Sequence, residues 1–125
     1  MLDLSHKKLD VYQIALKLLK KVYDHTKKFP KDEQFVLVSQ LRRASISVCS
    51  NIAEGAAKKS KAEKKRFYEM SRSSVAEVDT QFEIALILEY VLKEQTQELE
   101  QYVESLFRIL SKMITNLEHP LPTSH

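Results

Sequence analysis

Glycine and cysteine are almost missing from this chain, and each scarcity excludes a class of structures. The 125 residues include one glycine, one cysteine, three prolines and no tryptophan. A chain with a single glycine can form few of the tight turns that require a positive φ, which disfavours folds built from β-hairpins. One cysteine can form no internal disulfide, so the sequence suits a reducing cytoplasm.

Long apolar runs are also missing. Runs such as Phe35–Val38 are far shorter than the roughly 20 residues that a membrane-spanning helix needs. The N-terminal residues MLDLSHKK carry charges and lack the apolar stretch of a secretory signal. We therefore expect a cytoplasmic protein with no membrane segment, and a length that corresponds to one domain.

Apolar residues recur at helical spacing in four segments, which predicts an all-α, up-down-up-down four-helix bundle. Capping residues and prolines set the predicted bounds. The first helix is expected over residues 9–28, the second from a cap at Asp32 to Lys58, the third from a cap at Ser60 to Leu92, and the fourth after a cap at Thr96. Residues 1–117 should form this domain and residues 118–125, with two prolines, a flexible tail.

The spacing also predicts which side chains face the core. In the first helix they are Leu9, Tyr12, Leu16, Leu19 and Tyr23, and in the second they begin with Phe35 and Val38. The fourth helix has an unbroken heptad seam from Leu99 to Leu117, and the positions beside this seam are apolar too. That wide face is buried either between two neighbours of the same bundle or partly in an oligomer.

No constellation of catalytic, cofactor-binding or metal-binding residues emerges. Di-iron bundles use Glu-x-x-His pairs on facing helices, and this chain has no histidine between His25 and His119. Zinc sites are disfavoured because cysteine and histidine do not occur at ligand spacing, and phosphate-binding loops are disfavoured because the chain has a single glycine. We therefore expect a protein that is not an enzyme and binds no cofactor or metal.

Polar residues border the apolar seams of the second and third helices at helical spacing. Because stripes beside a core are partly desolvated, their members should pair with one another. The interpretation we favour over catalysis is an interhelix polar network or a subunit contact. The stripes comprise Gln40, Arg43, Ser47, Asn51 and Glu54 on the second helix and Ser74, Glu77 and Gln81 on the third. The expected network residues are Gln40, Arg43, Asn51, Glu54, Glu77 and Gln81.

Charge is divided unevenly along the chain. Residues 1–72 hold 17 Lys/Arg against 8 Asp/Glu, and residues 73–125 hold 3 against 9. Such polarity favours contacts with nucleic acid, with acidic partners or with the opposite half of a sister subunit. The densest basic cluster spans the connection between the second and third helices and is a candidate phosphate-binding patch, although solvated surface is the plainer interpretation. It comprises Lys58, Lys59, Lys61, Lys64, Lys65 and Arg66.

The segment QLRRASISVCSNIAEG at residues 40–55 resembles the bacterial 23S rRNA intervening-sequence protein family. Residues 9–15 (LDVYQIA) and 74–82 (SVAEVDTQF) resemble it as well. The resemblance covers about residues 8–117 and implies an up-down bundle that assembles into a ring-like homopentamer. A distant relative of the family binds a reverse transcriptase and nucleic acid, which makes RNA, DNA or a nucleic-acid-processing protein an expected partner.

Three hypotheses of function follow. The leading one is a non-enzymatic, homo-oligomeric scaffold or adaptor that binds nucleic acid through the basic cluster. The second is a protein-binding module with no nucleic-acid role, whose basic half docks on an acidic protein surface. The third is an enzyme that uses Glu54 or Glu77, which would require a pocket around a carboxylate of raised pKa.

Overall fold

Four long helices follow one another in the computed structural model, which describes residues 1–118. They are α1 (Asp10–Thr26), α2 (Leu37–Ala57), α3 (Lys61–Ile87) and α4 (Gln97–Glu118). Short 3₁₀ turns precede three of them, at Ser5–Lys8, Lys31–Glu33 and Lys93–Gln95. The predicted all-α four-helix bundle is confirmed.

Ion pairs at the helix ends show how the helices are directed. Nζ of Lys21, near the end of α1, lies 2.9 Å from Oε2 of Glu98 at the start of α4. Nζ of Lys65, at the start of α3, lies 3.1 Å from Oε1 of Glu118 at the end of α4. Helix α4 is therefore antiparallel to both neighbours, and the three-residue connection between α2 and α3 makes those two antiparallel as well.

The core face of α1 differs from the predicted one. Its buried residues are Val11, Ala15, Leu18, Val22 and Thr26. The predicted face, Leu9 to Tyr23, is rotated by about one residue, which is roughly 100° on a helix. Leu9 is exposed and the other four residues of that face are half-buried. These four half-buried residues lie at the edge of the core, because the side chains of Val11, Ala15 and Val22 allow the neighbouring helices to pack closer to α1.

Helix α2 begins later than the predicted cap at Asp32. Asp32 lies in the 3₁₀ turn, and Val36, with φ −119° and ψ −92°, lies between that turn and the first residue of α2. Phe35, predicted in the core seam, is 86% exposed. A contact distant in sequence holds the turn, since the Tyr90 hydroxyl donates to Oε2 of Glu33 at 2.7 Å.

Helix α3 begins as predicted and ends five residues early. The Ser60 hydroxyl accepts a hydrogen bond from the backbone N–H of Glu63 at 3.1 Å, as an N-cap does. At the other end Glu89 has φ 63°, and the N–H of Tyr90 donates to the carbonyl of Ala85 at 2.9 Å. This is a Schellman termination, which usually carries glycine at the left-handed position. A glutamate there left no signal in the sequence.

The wide apolar face of α4 is largely buried within its own bundle. Ile114 is 3% exposed, and the half-buried Tyr102 and Ile109 pack against the core. Phe107 is the large apolar residue of this helix that remains open, at 45% exposed. The structure therefore favours the first of the two explanations for this face, so any oligomer contact must be sought elsewhere.

The chain's last residues lie outside the described part. Helix α4 continues through Glu118, the first residue of the predicted tail, and residues 119–125 lie beyond the described range. Within residues 1–118, none of the helices combines the length and apolarity that crossing a bilayer requires.

Candidate oligomer and nucleic-acid interfaces

Small side chains let α2 and α3 approach closely. A Cβ built on Gly55 would lie 2.6 Å from Cε1 of Tyr68, so only glycine fits against that ring. Farther along, the hydroxyl of the fully buried Ser71 donates to the carbonyl of Val48 at 2.9 Å. This close contact sets the register of the two polar stripes relative to one another.

The predicted network between the stripes forms only at its centre. The hydroxyl of Ser74 on α3 donates to the hydroxyl of Ser47 on α2 at 2.8 Å. The amide of Asn51 donates to the same hydroxyl and to the carbonyl of Ser47, both at 2.9 Å. The two serines thus join the helices, while Asn51 bonds within its own helix.

The remaining stripe residues do not pair across the two helices. Gln40, Arg43, Glu54 and Glu77 are exposed, and Glu54 makes a loose pair within α2, with its Oε2 3.9 Å from Nζ of Lys58. Among the described residues, Oε1 of Gln81 is the one buried side-chain oxygen or nitrogen with no hydrogen-bond partner. The prediction that these residues pair with one another is wrong within a single subunit, because most of them face outward.

Three adjoining hollows run along this surface, which we call the α2–α3 face. The hollow nearest the start of α2, of about 170 Å³, is lined by Arg43 and Glu77. The next, of about 440 Å³, is lined by Asn51 and Arg66, and a third, of about 260 Å³, by Gln81. Glu77 borders all three. The α2–α3 face is therefore a shallow channel of mixed polar and apolar surface, with the stripe residues along it.

Two lysines of the basic cluster are engaged within the protein. Nζ of Lys64 donates to the carbonyls of Ala56 at 3.1 Å and Gly55 at 3.3 Å, which satisfies the C-terminal carbonyls of α2. Lys65 pairs with Glu118, and the hydrogen bond to that carboxylate raises the pKa of Lys65. These two predicted phosphate contacts have a structural role in the subunit.

The other four cations are more available. Lys58 and Arg66 both lie over the ring of Phe67, with Nζ and Cζ 5.2 and 4.9 Å from its centroid. Lys59, Lys61 and Arg66 are exposed and form no ion pair in the part of the chain that the structure describes. The sequence does not distinguish the cations that are available from the two that are engaged, because all six lie within one short stretch of the chain.

Residues suited to other chemistry are not grouped. No set of three His, Cys, Asp or Glu side chains within residues 1–118 is arranged to hold a metal ion. Burial raises the pKa of the Cys49 thiol to about 11, which disfavours the reactive thiolate. Burial also lowers the pKa of His25, which packs edge-on against Phe82 with 5.7 Å between ring centroids.

The model of the 23S rRNA-intervening sequence protein family matches residues 7–112, which include both helices of the α2–α3 face. The chain belongs to the 23S rRNA-intervening sequence protein family. The bundle is similar to the crystal structure of a protein of unknown function from the S23 ribosomal protein family of Bacteroides thetaiotaomicron. The TM-score is 0.76 at 19% identity, over 83% of this chain and 97% of that one. No curated protein matches the sequence.

Proposed function

We propose that this family member is a non-enzymatic, homo-oligomeric scaffold or adaptor of the cytoplasm. Copies join head to tail through the α2–α3 face, with the α2 edge of one copy against the α3 edge of the next, because the ring of five that the family resemblance implies needs two different surfaces in contact. The basic end of the bundle, formed by Lys59, Lys61 and Arg66, contacts the phosphates of RNA or DNA. The observation that carries the proposal is the shallow channel of the α2–α3 face, whose charged residues are not paired across the helices.

The chemistry of that face supports self-association. Arg43 and Glu77 line the same hollow as opposite charges. The apolar side chains Ile46 and Met70, 46% and 45% exposed, lie on the same two helices. A second copy would bury them.

A charge exchange tests the contact. Arg43→Glu or Glu77→Arg alone should weaken self-association, because each places like charges along the channel. The double variant Arg43→Glu/Glu77→Arg should restore it in large part. Sedimentation velocity at a series of concentrations gives the distribution of species. Glu94→Arg, in the 3₁₀ turn before α4, is the matched control and should leave the distribution unchanged.

Two outcomes of this exchange would count against the α2–α3 face as the interface. One is unchanged sedimentation of both single variants. The other is a double variant that is no better assembled than the singles, since the pair would then not be in contact. Circular dichroism on each variant separates a lost interface from a lost fold.

The basic end is tested by salt-dependent binding. Three phosphate contacts predict that log K falls with log salt with a slope of about −2 for a single-stranded probe. Reversing Lys59, Lys61 and Arg66 to glutamate should remove most of that binding to a labelled RNA or DNA oligonucleotide. The control reverses Lys27, Lys28 and Lys31, exposed lysines at the opposite end of the bundle. Equal losses in the two triple variants would show general charge attraction and refute a specific patch.

A second candidate function is a protein-binding module with no nucleic-acid role. It is favoured by the engagement of Lys64 and Lys65 inside the subunit, which reduces the cluster available to phosphates. A protein partner retained in pull-downs after nuclease treatment, together with no oligonucleotide binding, would support it. Catalysis by Glu54 or Glu77 would require a carboxylate enclosed in a pocket, and both of these carboxylates are exposed.

A further inference from the structure

A second groove, on the other side of α3, has an apolar floor. It runs between α3 and α4 and has a volume of about 690 Å³. Val75, Phe82 and Val103 form part of its lining and are all buried. Phe107, 45% exposed, lines the groove as well. A bundle helix packed on this groove would cover apolar surface that the four helices of the subunit leave open.

The rims of this groove are acidic. Asp79 and Glu83 border it from α3 and Glu104 from α4, and all three are exposed. None of the three forms an ion pair with another residue of the 1–118 range. A fourth carboxylate, Glu100, is already paired, with its Oε1 3.1 Å from Nζ of Lys93.

The cations of the groove do not neutralise the rims. Lys93 is the partner of Glu100. Arg108 is the other cation of the lining, and it lies next in sequence to Phe107 at the Phe107 end of the groove. The three carboxylates therefore leave a negative rim along an apolar floor.

We propose that this groove binds a basic amphipathic helix of a partner protein. Apolar residues of that helix, spaced three and four apart, would lie on the exposed Phe107 and the half-buried Leu86, which both line the groove. Lysine or arginine residues on its flanks would face Asp79, Glu83 and Glu104. The lining extends over residues 75–86 of α3, a length of roughly 18 Å, which corresponds to about three turns of a bound helix.

The chemistry of the groove selects against other occupants. Nucleic acid would bring phosphates next to three carboxylates. An extended peptide would find no open strand edge, because both walls are helices whose backbone groups are already hydrogen-bonded. Residues 119–125 of the chain itself include two prolines and no lysine or arginine, so they cannot supply a basic helix.

A synthetic helix tests the proposal. The probe is a fluorescent peptide of about 18 residues, with leucine at helical spacing on one face and lysine on the flanks, measured by anisotropy. A matched peptide carries glutamate in place of every lysine. The lysine peptide should bind and the glutamate peptide should not. Raising the salt concentration should weaken binding, because the rim contacts are exposed.

Variants of the protein locate the site. Reversing Asp79, Glu83 and Glu104 to lysine should weaken binding by about tenfold or more, since each exposed ion pair contributes modestly. The control reverses Asp3, Asp32 and Glu63, three exposed carboxylates away from the groove. A third variant, Phe107→Ser, keeps the charge and removes apolar floor, and should also weaken binding.

Three results would overturn the proposal. One is an equal loss for the groove variant and the control, which would indicate attraction by net charge alone. Another is undiminished peptide binding by both the Phe107→Ser variant and the charge-reversed groove variant. The third is a groove variant whose sedimentation changes, which would mean that a second copy of this chain occupies the groove. Neither the charge-reversed groove variant nor Phe107→Ser alters the α2–α3 face or the basic end, so the outcome is separable from that of the proposed function.

Discussion

The close approach of α2 to α3 at Gly55 leads to a prediction whose sign depends on the neighbouring ring. Gly→Ala inside a helix normally stabilises it by about 1 kcal/mol, because alanine loses less backbone entropy. Here the added Cβ would lie 2.6 and 2.9 Å from two ring carbons of Tyr68 and 3.2 Å from Cβ of Phe67. Tyr68 is only 6% exposed, so its ring has little room to move away.

The clash should outweigh the helical gain. Forcing extra volume into a packed site costs about 1–3 kcal/mol, so Gly55→Ala should destabilise the protein by about 1 kcal/mol in net terms. The assay is urea unfolding followed by circular dichroism at one fixed protomer concentration, since the stability of an oligomer depends on concentration. Ser50→Ala, at an exposed position of α2, is the control and should be neutral or slightly stabilising.

Removing the ring should reverse the sign. In a Tyr68→Ala background, Gly55→Ala should stabilise by about 0.5–1 kcal/mol, the ordinary helical gain. The two substitutions are therefore coupled, and a double-mutant cycle measures the coupling. Stabilisation by Gly55→Ala in the parent protein would refute the close contact, and so would an identical effect in both backgrounds.

Four further outcomes follow from local geometry. Glu89→Gly should stabilise by about 1 kcal/mol, because glutamate at φ 63° is in the left-handed region; a loss of stability in urea unfolding would contradict this. Ser60→Ala should cost about 1 kcal/mol in the same assay, and Ser60→Asp should preserve the cap. The hydrogen bond from Lys21 lowers the pKa of Glu98. The ionised carboxylate therefore stabilises the folded protein above the ordinary value of 4.5, and this stabilisation is lost as the pH falls through the folded pKa. Glu98→Gln should make the free energy of unfolding less dependent on pH in this acid range. Cys49, with its pKa raised to about 11, should resist thiol-disulfide reagents at pH 8 until the chain is unfolded, and fast labelling of the folded protein would show that it is accessible.

Local signals in the sequence were reliable where the local chain decides the structure. The cap at Ser60 is made by residues three apart, and the heptad seam of α4 is buried from Leu99 to Leu110 as predicted. The start of α2 and the end of α3 depend on more distant contacts. The Tyr90 hydroxyl bonds Glu33 across 57 positions of sequence, and no periodicity reports such a bond.

The candidate interfaces were predicted in part. The helical spacing identified the polar stripes. It defines the direction of a helical face only to within about one residue, and a shift of one residue is enough to turn an inward side chain outward. Ser47 and Ser74 therefore meet, while Arg43 and Glu77 face solvent. The acidic groove was not anticipated, since Asp79 and Glu104 lie on different helices and only the packing of α3 on α4 brings them to one surface.

The central claim is that identical copies share the α2–α3 face. Light scattering coupled to size-exclusion chromatography measures the mass of the particle directly. We expect a particle mass that is a multiple of the 14.5 kDa of one chain, and the family resemblance implies five copies. Glu77→Arg should shift the distribution toward smaller species. A monodisperse, fully helical particle of 14.5 kDa at high concentration would contradict it.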